Sequence, residues 1–352
     1  VANKRIIYAT KGMAFRKSGL TPASGILPIG QSGINSGNLW EVPRGVQSVG
    51  VTTTFNLEQV FQQGQLNLYE NVEDRPDVEV TVSRVLDGTH PLYLMASDSV
   101  TEVKNGSHTL NARNAQYQTD IALHVYPDTQ TLASGVADSR MMASGMFLSS
   151  VSYTFPVDGN CTEEITFVGN NKFWAVGDGD GTAATECFPA PSGLITADED
   201  PTTTPGAFTS KGVVRREDVD ISSSTLPADI PSSDRSAIQN VTISADLGRD
   251  EIFALGQRDV YHRVIAFPLE VTCSIECITS EGDLKEAKAA GDNLTDRQIT
   301  IKTLQGLEIN LGAKNKLSSI DFTGGDTGGG EVSVTYNYSN FNDLTIRHAH
   351  YP

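Results

Sequence analysis

At 352 residues the chain is long enough for two cores, and an apolar fraction of 38% is enough to fill them. With 43 acidic against 26 basic residues the formal net charge is -17, and no basic run is longer than Lys4-Arg5 or Arg215-Arg216, which argues against a protein that grips nucleic acid by its phosphates. No apolar stretch approaches the ~18 residues of a membrane-spanning helix, and the opening VANKRIIYAT has a basic pair without a hydrophobic segment behind it, so neither an anchor nor a signal peptide is expected and the chain should be made in the cytoplasm.

Residues 1–43 read as an N-terminal arm. Segments such as KSGLTPASGILPIGQSGINSG are rich in Gly and Pro and can hardly make a core, so packing on a neighbouring subunit is the favoured use and a plain linker the alternative. A first module follows over 44–170. It opens on VQSVGVTTTF (46–55), whose apolar and polar residues alternate as in a half-buried strand. EVTVS (79–83), the stretch 114–128, LSSVSY (148–153) and EEITFVGNN (163–171) continue the pattern, with a short helix expected around Pro91–Asp98. Residues 171–235 are polar and Pro-rich and read as an insertion or linker.

The second module, 236–352, repeats the first. At an offset of 192, Val46, Gln47, Val49 and Val51 fall on Ile238, Gln239, Val241 and Ile243. Phe61, Gly64, Gln65, Tyr69 and Pro76 fall on Phe253, Gly256, Gln257, Tyr261 and Pro268. A one-residue slip then aligns EVTVS (79–83) with EVTCS (270–274); LSSVSY matches LSSIDF (317–322), and EVSVTYNYSN (331–340) is the closing strand. Strand propensity does not demand the shared Gln, Gly, Tyr and Pro, so duplication is the better explanation. A helix is expected over GDLKEAKAAG (282–291), capped by Asp283 and ended by Gly291. The expected fold is mainly β: two tandem antiparallel sandwich or barrel modules, each with a flanking helix. The expected core is Val49, Val51, Phe61, Val80, Val82, Val151 and Tyr153, with counterparts Val241, Ile243, Phe253, Val271, Cys273, Ile320 and Phe322.

Chemistry-bearing motifs fall short. Cys161, Cys187, Cys273 and Cys277 are too few for a disulfide framework, and a strand would carry the last two on one face but far apart for a disulfide. GDGDGT (177–182) lacks the full ligand set of a calcium loop, and GGDTGGG (324–330) lacks the Lys-Ser/Thr of a phosphate loop and suits a hairpin tip. His348 and His350 are the best histidine pair but sit at the end of the chain. No catalytic residue, metal ligand or cofactor-binding residue is assigned, no cofactor is expected, and an enzyme is not expected.

LGRDEIFALGQRDVYHRVIAFPLEVTCSIE (247–276), LGAKNKLSSIDF (311–322) and VTYNYSNFNDLTI (334–346), with FNLEQVFQQGQLNLYENVEDRPDVEVTVSRVLDG (55–88) in the first module, resemble the tail tube proteins of tailed bacteriophages. The resemblance covers both modules and leaves 171–235 out. It implies a structural virion protein of the tail, assembled with copies of itself into stacked β-rings and meeting other tail proteins. Viral DNA would pass through the lumen unbound. Rings with six module positions imply three two-module chains per ring, or a hexamer with outer decorations. The alternatives are another ring-forming virion protein (capsid, neck or baseplate) and a carbohydrate-binding adhesive β-protein. An acidic wall suits a conduit that must not hold DNA, although composition does not say which face carries the charge.

Overall fold

A computed structural model describes residues 11–17, 43–88, 91–97, 107–109, 118–126, 139–176, 213–220, 226–227, 229–231, 234–256, 260–279, 282, 294–325 and 330–348. The N-terminal half holds β1 (Lys11–Lys17), β2 (Val46–Thr54), β3 (Leu57–Phe61), β4 (Leu68–Glu73), β5 (Asp77–Val85), α1 (Leu92–Ser97), β6 (Ser107–Thr109), β7 (Thr119–Val125), β8 (Ser139–Pro156), β9 (Thr162–Gly169) and β10 (Asn171–Val176). After β11 (Val219–Asp220), the C-terminal half holds β12 (Ile238–Asp246), β13 (Arg249–Phe253), β14 (Val260–Ile265), β15 (Glu270–Ile278), β16 (Thr300–Thr303), β17 (Leu307–Asn310), β18 (Lys316–Thr323), β19 (Ser333–Phe341) and β20 (Thr345–His348).

One antiparallel sheet runs through both halves in the order β18-β19-β15-β12-β8-β9-β5-β2. Its inward residues alternate along each strand: Val78, Val80 and Val82 on β5, Val271, Cys273 and Ile275 on β15, and Val334, Tyr336 and Tyr338 on β19 are all buried. A five-stranded sheet, β11-β16-β17-β20-β6, adds Ile301, Ile309 and Ile346 to the same continuous core. In the N-terminal half the second layer hangs on β8. Its first part pairs with β7 and β10, its second with β9 and β12, and β1 pairs with β7. Between the two parts Gly145 takes φ 66, beside a register shift opposite Thr119 and Ile121, and its N–H donates to Asp120 Oδ1 at 3.0 Å. A bulge with a left-handed glycine is how a strand bends from one set of partners to another.

The pairing registers of the two halves coincide. On β2–β5, Val49 and Val51 face Val82 and Val80; on β12–β15, Val241 and Ile243 face Ile275 and Cys273, and both pairs skip one residue, Gln47 and Gln239. On β8–β9, Leu148 faces Phe167 and Tyr153 faces Glu163; on β18–β19, Leu317 faces Tyr338 and Phe322 faces Val334, with Ser149 and Ser318 skipped. The hairpins β3–β4 and β13–β14 share their register and their bulge, so Phe61 and Phe253 hold the same place, across from Leu68 and Val260.

Several expectations change. No sheet among the described residues closes on itself, so the expected barrel is not found there. The match of EVTVS to EVTCS is two residues out, because the registers equate Val80 with Cys273 and Val82 with Ile275. The extra residue therefore lies between Ile265 and Val271, in the second half. A shift of two keeps every side chain on its face, which is why the buried set survived the error. Phe61, Phe253 and Phe322, expected in the core, are 65%, 60% and 56% exposed. The first two ride on hairpins of their own two-stranded sheets, and the third stands on an edge strand. Val49, Val51 and Ile320 are half-buried for the same edge reason. Of the two expected helices, α1 is present beside β8 and β9, while 283–291 lies outside the described residues. From the expected arm, Lys11–Lys17 pairs with β7 of the same chain.

Candidate functional site: the polar face of the long sheet

The outward face of the eight-strand path follows directly from period-two alternation. One row crosses all eight strands: Ser48, Ser83, Glu164, Ser152, Ser244, Thr272, Ser339 and Lys316. A second runs Thr162, Thr154, Thr242, Ser274, Asn337 and Ser319. A third runs Pro156, Asn240, Glu276, Thr335 and Asp321. These side chains satisfy one another. The Ser244 and Thr272 hydroxyls lie 2.7 Å apart, and the Asn337 amide donates to Ser319 Oγ and to Asp321 Oδ2, each at 2.9 Å. Cross-strand Ser/Thr ladders of this kind stabilise a sheet that faces water.

The charge on this face is predominantly acidic. Glu79, Glu164, Glu270 and Asp321 are exposed there, and Glu276 is half-buried. Lys316 is the one cation in the three rows; it lies on the outermost strand with its Nζ 3.7 Å from Asp296. Apart from Lys316 at the edge of the face, the three rows offer no cation for a phosphate to seek. The face's repulsion of an anion is long-ranged and screened by salt.

Behind the face sits a buried ionic knot. Arg84 Nε lies 2.9 Å from Glu163 Oε2, and both side chains are fully buried. Glu163 also accepts hydrogen bonds from the Tyr153 hydroxyl at 2.7 Å and from the backbone N–H groups of Leu92 and Tyr93 at 2.8 and 3.1 Å. Burial, and then the neighbouring Glu163, push the Tyr153 hydroxyl well above its ordinary pKa. The carboxylate thus ties β5, β8 and β9 to the start of α1. The knot contains no nucleophile with a base, and its geometry reads as a structural tie.

Cys273 and Cys277 lie on one face of β15 and are buried, and burial is the first cause that raises each thiol to about 12. Cys161 is also a free buried thiol. No group of three or more metal-ligating side chains occurs among the described residues. GDGDGT, Cys187, His350 and the middle of GGDTGGG lie outside those residues; His348 is buried on β20. No described helix is long and apolar enough to cross a membrane. Sequence reasoning found the strands of this wall but not the wall itself, because only the β8–β12 pairing makes the two halves one surface.

In class, the fold is a mainly antiparallel β protein with one long two-part sheet. Comparison with known proteins adds partial likenesses. No family model matches the chain, and no curated protein sequence does. Among solved structures, a chain of the anti-feeding prophage baseplate aligns over 49% of this chain and 96% of its own, with 7% identity and a TM-score of 0.31. A chain of an extracellular contractile injection system, from a sheath-tube complex in the extended state, aligns over 50% and 94%, with 14% identity and a TM-score of 0.30. An Hcp protein aligns over 47% and 98%, with 13% identity and a TM-score of 0.23. Scores this low establish neither a shared fold over the whole chain nor a shared function.

Proposed function

We propose that the chain is a non-catalytic, structural subunit of a bacteriophage tail tube, built from two copies of one β module and assembled into stacked rings around a channel for DNA. The observation that carries this reading is the long sheet, with one unbroken hydroxyl- and carboxylate-bearing face and a repeated register. A monomer has little use for so wide a polar wall. A hollow assembly has a direct one: DNA slides past a surface that offers it hydrogen-bonding water and mild net repulsion, with Lys316 the one cation in its three rows.

Three chains, each giving eight strands, would supply a 24-strand wall. With strands ~4.8 Å apart and tilted by about 40°, that wall has a diameter of roughly 48 Å between backbones. Side chains narrow it, and the space left still exceeds a DNA duplex. The remaining partners are other copies, other tail proteins and DNA in transit, and the place of action is the virion.

Negative-stain microscopy of the purified protein tests the reading. Hollow tubes, or stacked rings with a channel near that width, are expected. Isolated rings that never stack would move the protein to a neck or baseplate position. Monomers that bind glycans, or a channel narrower than duplex DNA, would overturn the proposal.

A further inference from the structure

We infer that Lys11 guards the β2 edge of a free copy: its ammonium holds a backbone carbonyl that an arriving strand would need, and joining must first displace it. The strand held off belongs to a second copy of this chain. The inference rests on the tube reading, whose wall has to close across β2, and adds the device that keeps a single copy from joining at once.

The direction of each backbone group on β2 follows from its repeat. On β12 the Gln239 carbonyl accepts from the Val157 N–H at 2.8 Å, and the Leu247 N–H donates to the Ser149 carbonyl at 2.7 Å. The odd-numbered residues of β12 therefore turn their backbone groups toward β8. The even-numbered ones face the other way, as the Gly248 carbonyl does in accepting from the Ala266 N–H at 3.1 Å. β2 pairs with β5 as β12 pairs with β15, and Val49 holds the place of Val241. The Asn56 carbonyl, counterpart of Gly248, likewise accepts from the Asp74 N–H, at 2.8 Å. Val49 thus turns its carbonyl away from β5, to the side where the eight-strand path ends. At the centre that side of Val241 is taken by β8, through Phe155.

At the edge a lysine stands there instead. Lys11 Nζ donates to the Val49 carbonyl at 2.9 Å. Lys11 is the first residue of β1 and pairs with Val125 in the second layer, so its stem bridges the two layers at their open side. Met13 and Phe15, further along β1, are buried, and the Phe15 ring lies 5.6 Å from that of Phe167, which fixes the strand that carries the lysine. Burial lowers the pKa of the amine, the mark of a contact partly withdrawn from water. Natural sheets use Lys above other residues to keep open edges from recruiting strands. A strand arriving by chance meets a carbonyl already taken and a partly desolvated charge that it cannot match. The guard is still easily lifted: rotating one side chain frees the carbonyl and returns the ammonium to water, while β1 stays in place. A second lysine, Lys172 of β10, also reaches β2, but its contact is with the Thr53 side-chain hydroxyl.

Assembly of the full chain, followed against concentration by sedimentation velocity, tests the guard. Lys11→Met keeps the stem and removes the ammonium. It should assemble at about tenfold lower concentration than wild type, the factor that one charge-assisted hydrogen bond commands. Lys11→Gln, shorter and neutral, should show the same direction, and circular dichroism of both should match wild type. Lys11→Arg keeps a cationic donor and should stay near wild type. Lys172→Met removes the same unit of charge beside β2 and should also stay near wild type. A mere tie between layers predicts the opposite for Lys11→Met: a lower urea midpoint, with assembly unchanged or needing more protein. That result would overturn the inference, as would an equal gain for Lys172→Met, or monomers for wild type and Lys11→Met alike at every concentration. Negative stain of the same samples separates this inference from the tube reading. Hollow wild-type tubes with no gain for Lys11→Met refute the guard alone, and a gain that builds assemblies without a channel refutes the tube alone.

Discussion

Glu163 shows how much one residue can organise. Its carboxylate receives Arg84, the Tyr153 hydroxyl and two backbone N–H groups of α1, all away from water. Removing one member of a buried pair strands the other charge, so Glu163→Ala should lower unfolding free energy by about 3–5 kcal/mol in a urea titration. A loss under about 1 kcal/mol would show that Arg84 finds another partner or water. In the other half the register puts Val334, Cys277 and Phe322 at the places of Glu163, Arg84 and Tyr153. An apolar set at these positions is therefore compatible with the same strand frame, as expected when the whole ionic cluster and not one member is exchanged. A second residue-scale outcome concerns His124, buried on β7, where burial first and Arg140 second lower its pKa from 6.5 to about 4. The unfolded chain takes up a proton below pH 6.5 and the folded chain does not until about 4. Stability should thus be full above pH 6.5 and fall through the window between those values, by roughly 3 kcal/mol in all. His124→Gln should flatten that part of a Tm-against-pH curve, and an unchanged slope would remove His124 as its cause.

At the scale of elements, two neighbouring strands of the C-terminal half, β12 and β13, make contrasting predictions for isoleucine and phenylalanine. Ile243 is buried at the centre of the sheet, so Ile243→Ala should cost about 2–5 kcal/mol. Phe253 stands 60% exposed on the β13–β14 hairpin, so Phe253→Ala should cost the isolated chain less than about 1 kcal/mol. A large loss for Phe253→Ala in monomeric protein would mean that the hairpin folds back on a core. The contrast marks what the sequence could and could not reveal. Alternation exposed the strands, and the inward face of β5 and β15 was right even with the match two residues out, because a period of two forgives an even slip. Shared letters at Phe61 and Phe253 identified equivalent places correctly. They suggested a core because an aromatic residue conserved between two copies usually packs inside a domain; here the shared feature is a projecting hairpin. Nothing in local pattern distinguishes a strand edge that stays open from one that finds a partner in the same chain, so the β8–β12 pairing and the continuous polar face were not legible.

At the scale of the whole molecule, a net charge of -17 becomes specific once the sheet gives it a place. Glu164 and Asp321 stand exposed on the outward face, and Glu276 stands half-buried on it, in rows otherwise filled by Ser, Thr and Asn with Lys316 and Pro156 at strand ends. Two of these positions lie on middle strands, β9 and β15, where substitution on the outward side touches no core residue. If the face lines a channel, its sign decides whether DNA passes or sticks. Glu164→Lys with Glu276→Lys changes the formal charge of each chain by four units, toward positive, on that face alone. Assembled wild-type protein should retain no duplex DNA at any salt concentration. The double variant should retain it at low salt and release it as salt rises, because each phosphate neutralised returns a counterion to solution when the contact breaks. The same substitution count placed elsewhere, at Glu58 and Glu70 on the β3–β4 hairpin, is the control. Retention by the hairpin variant equal to that of the face variant would mean that overall charge, and not the sheet face, governs passage. Retention by the face variant alone would tie the polar rows to the channel wall.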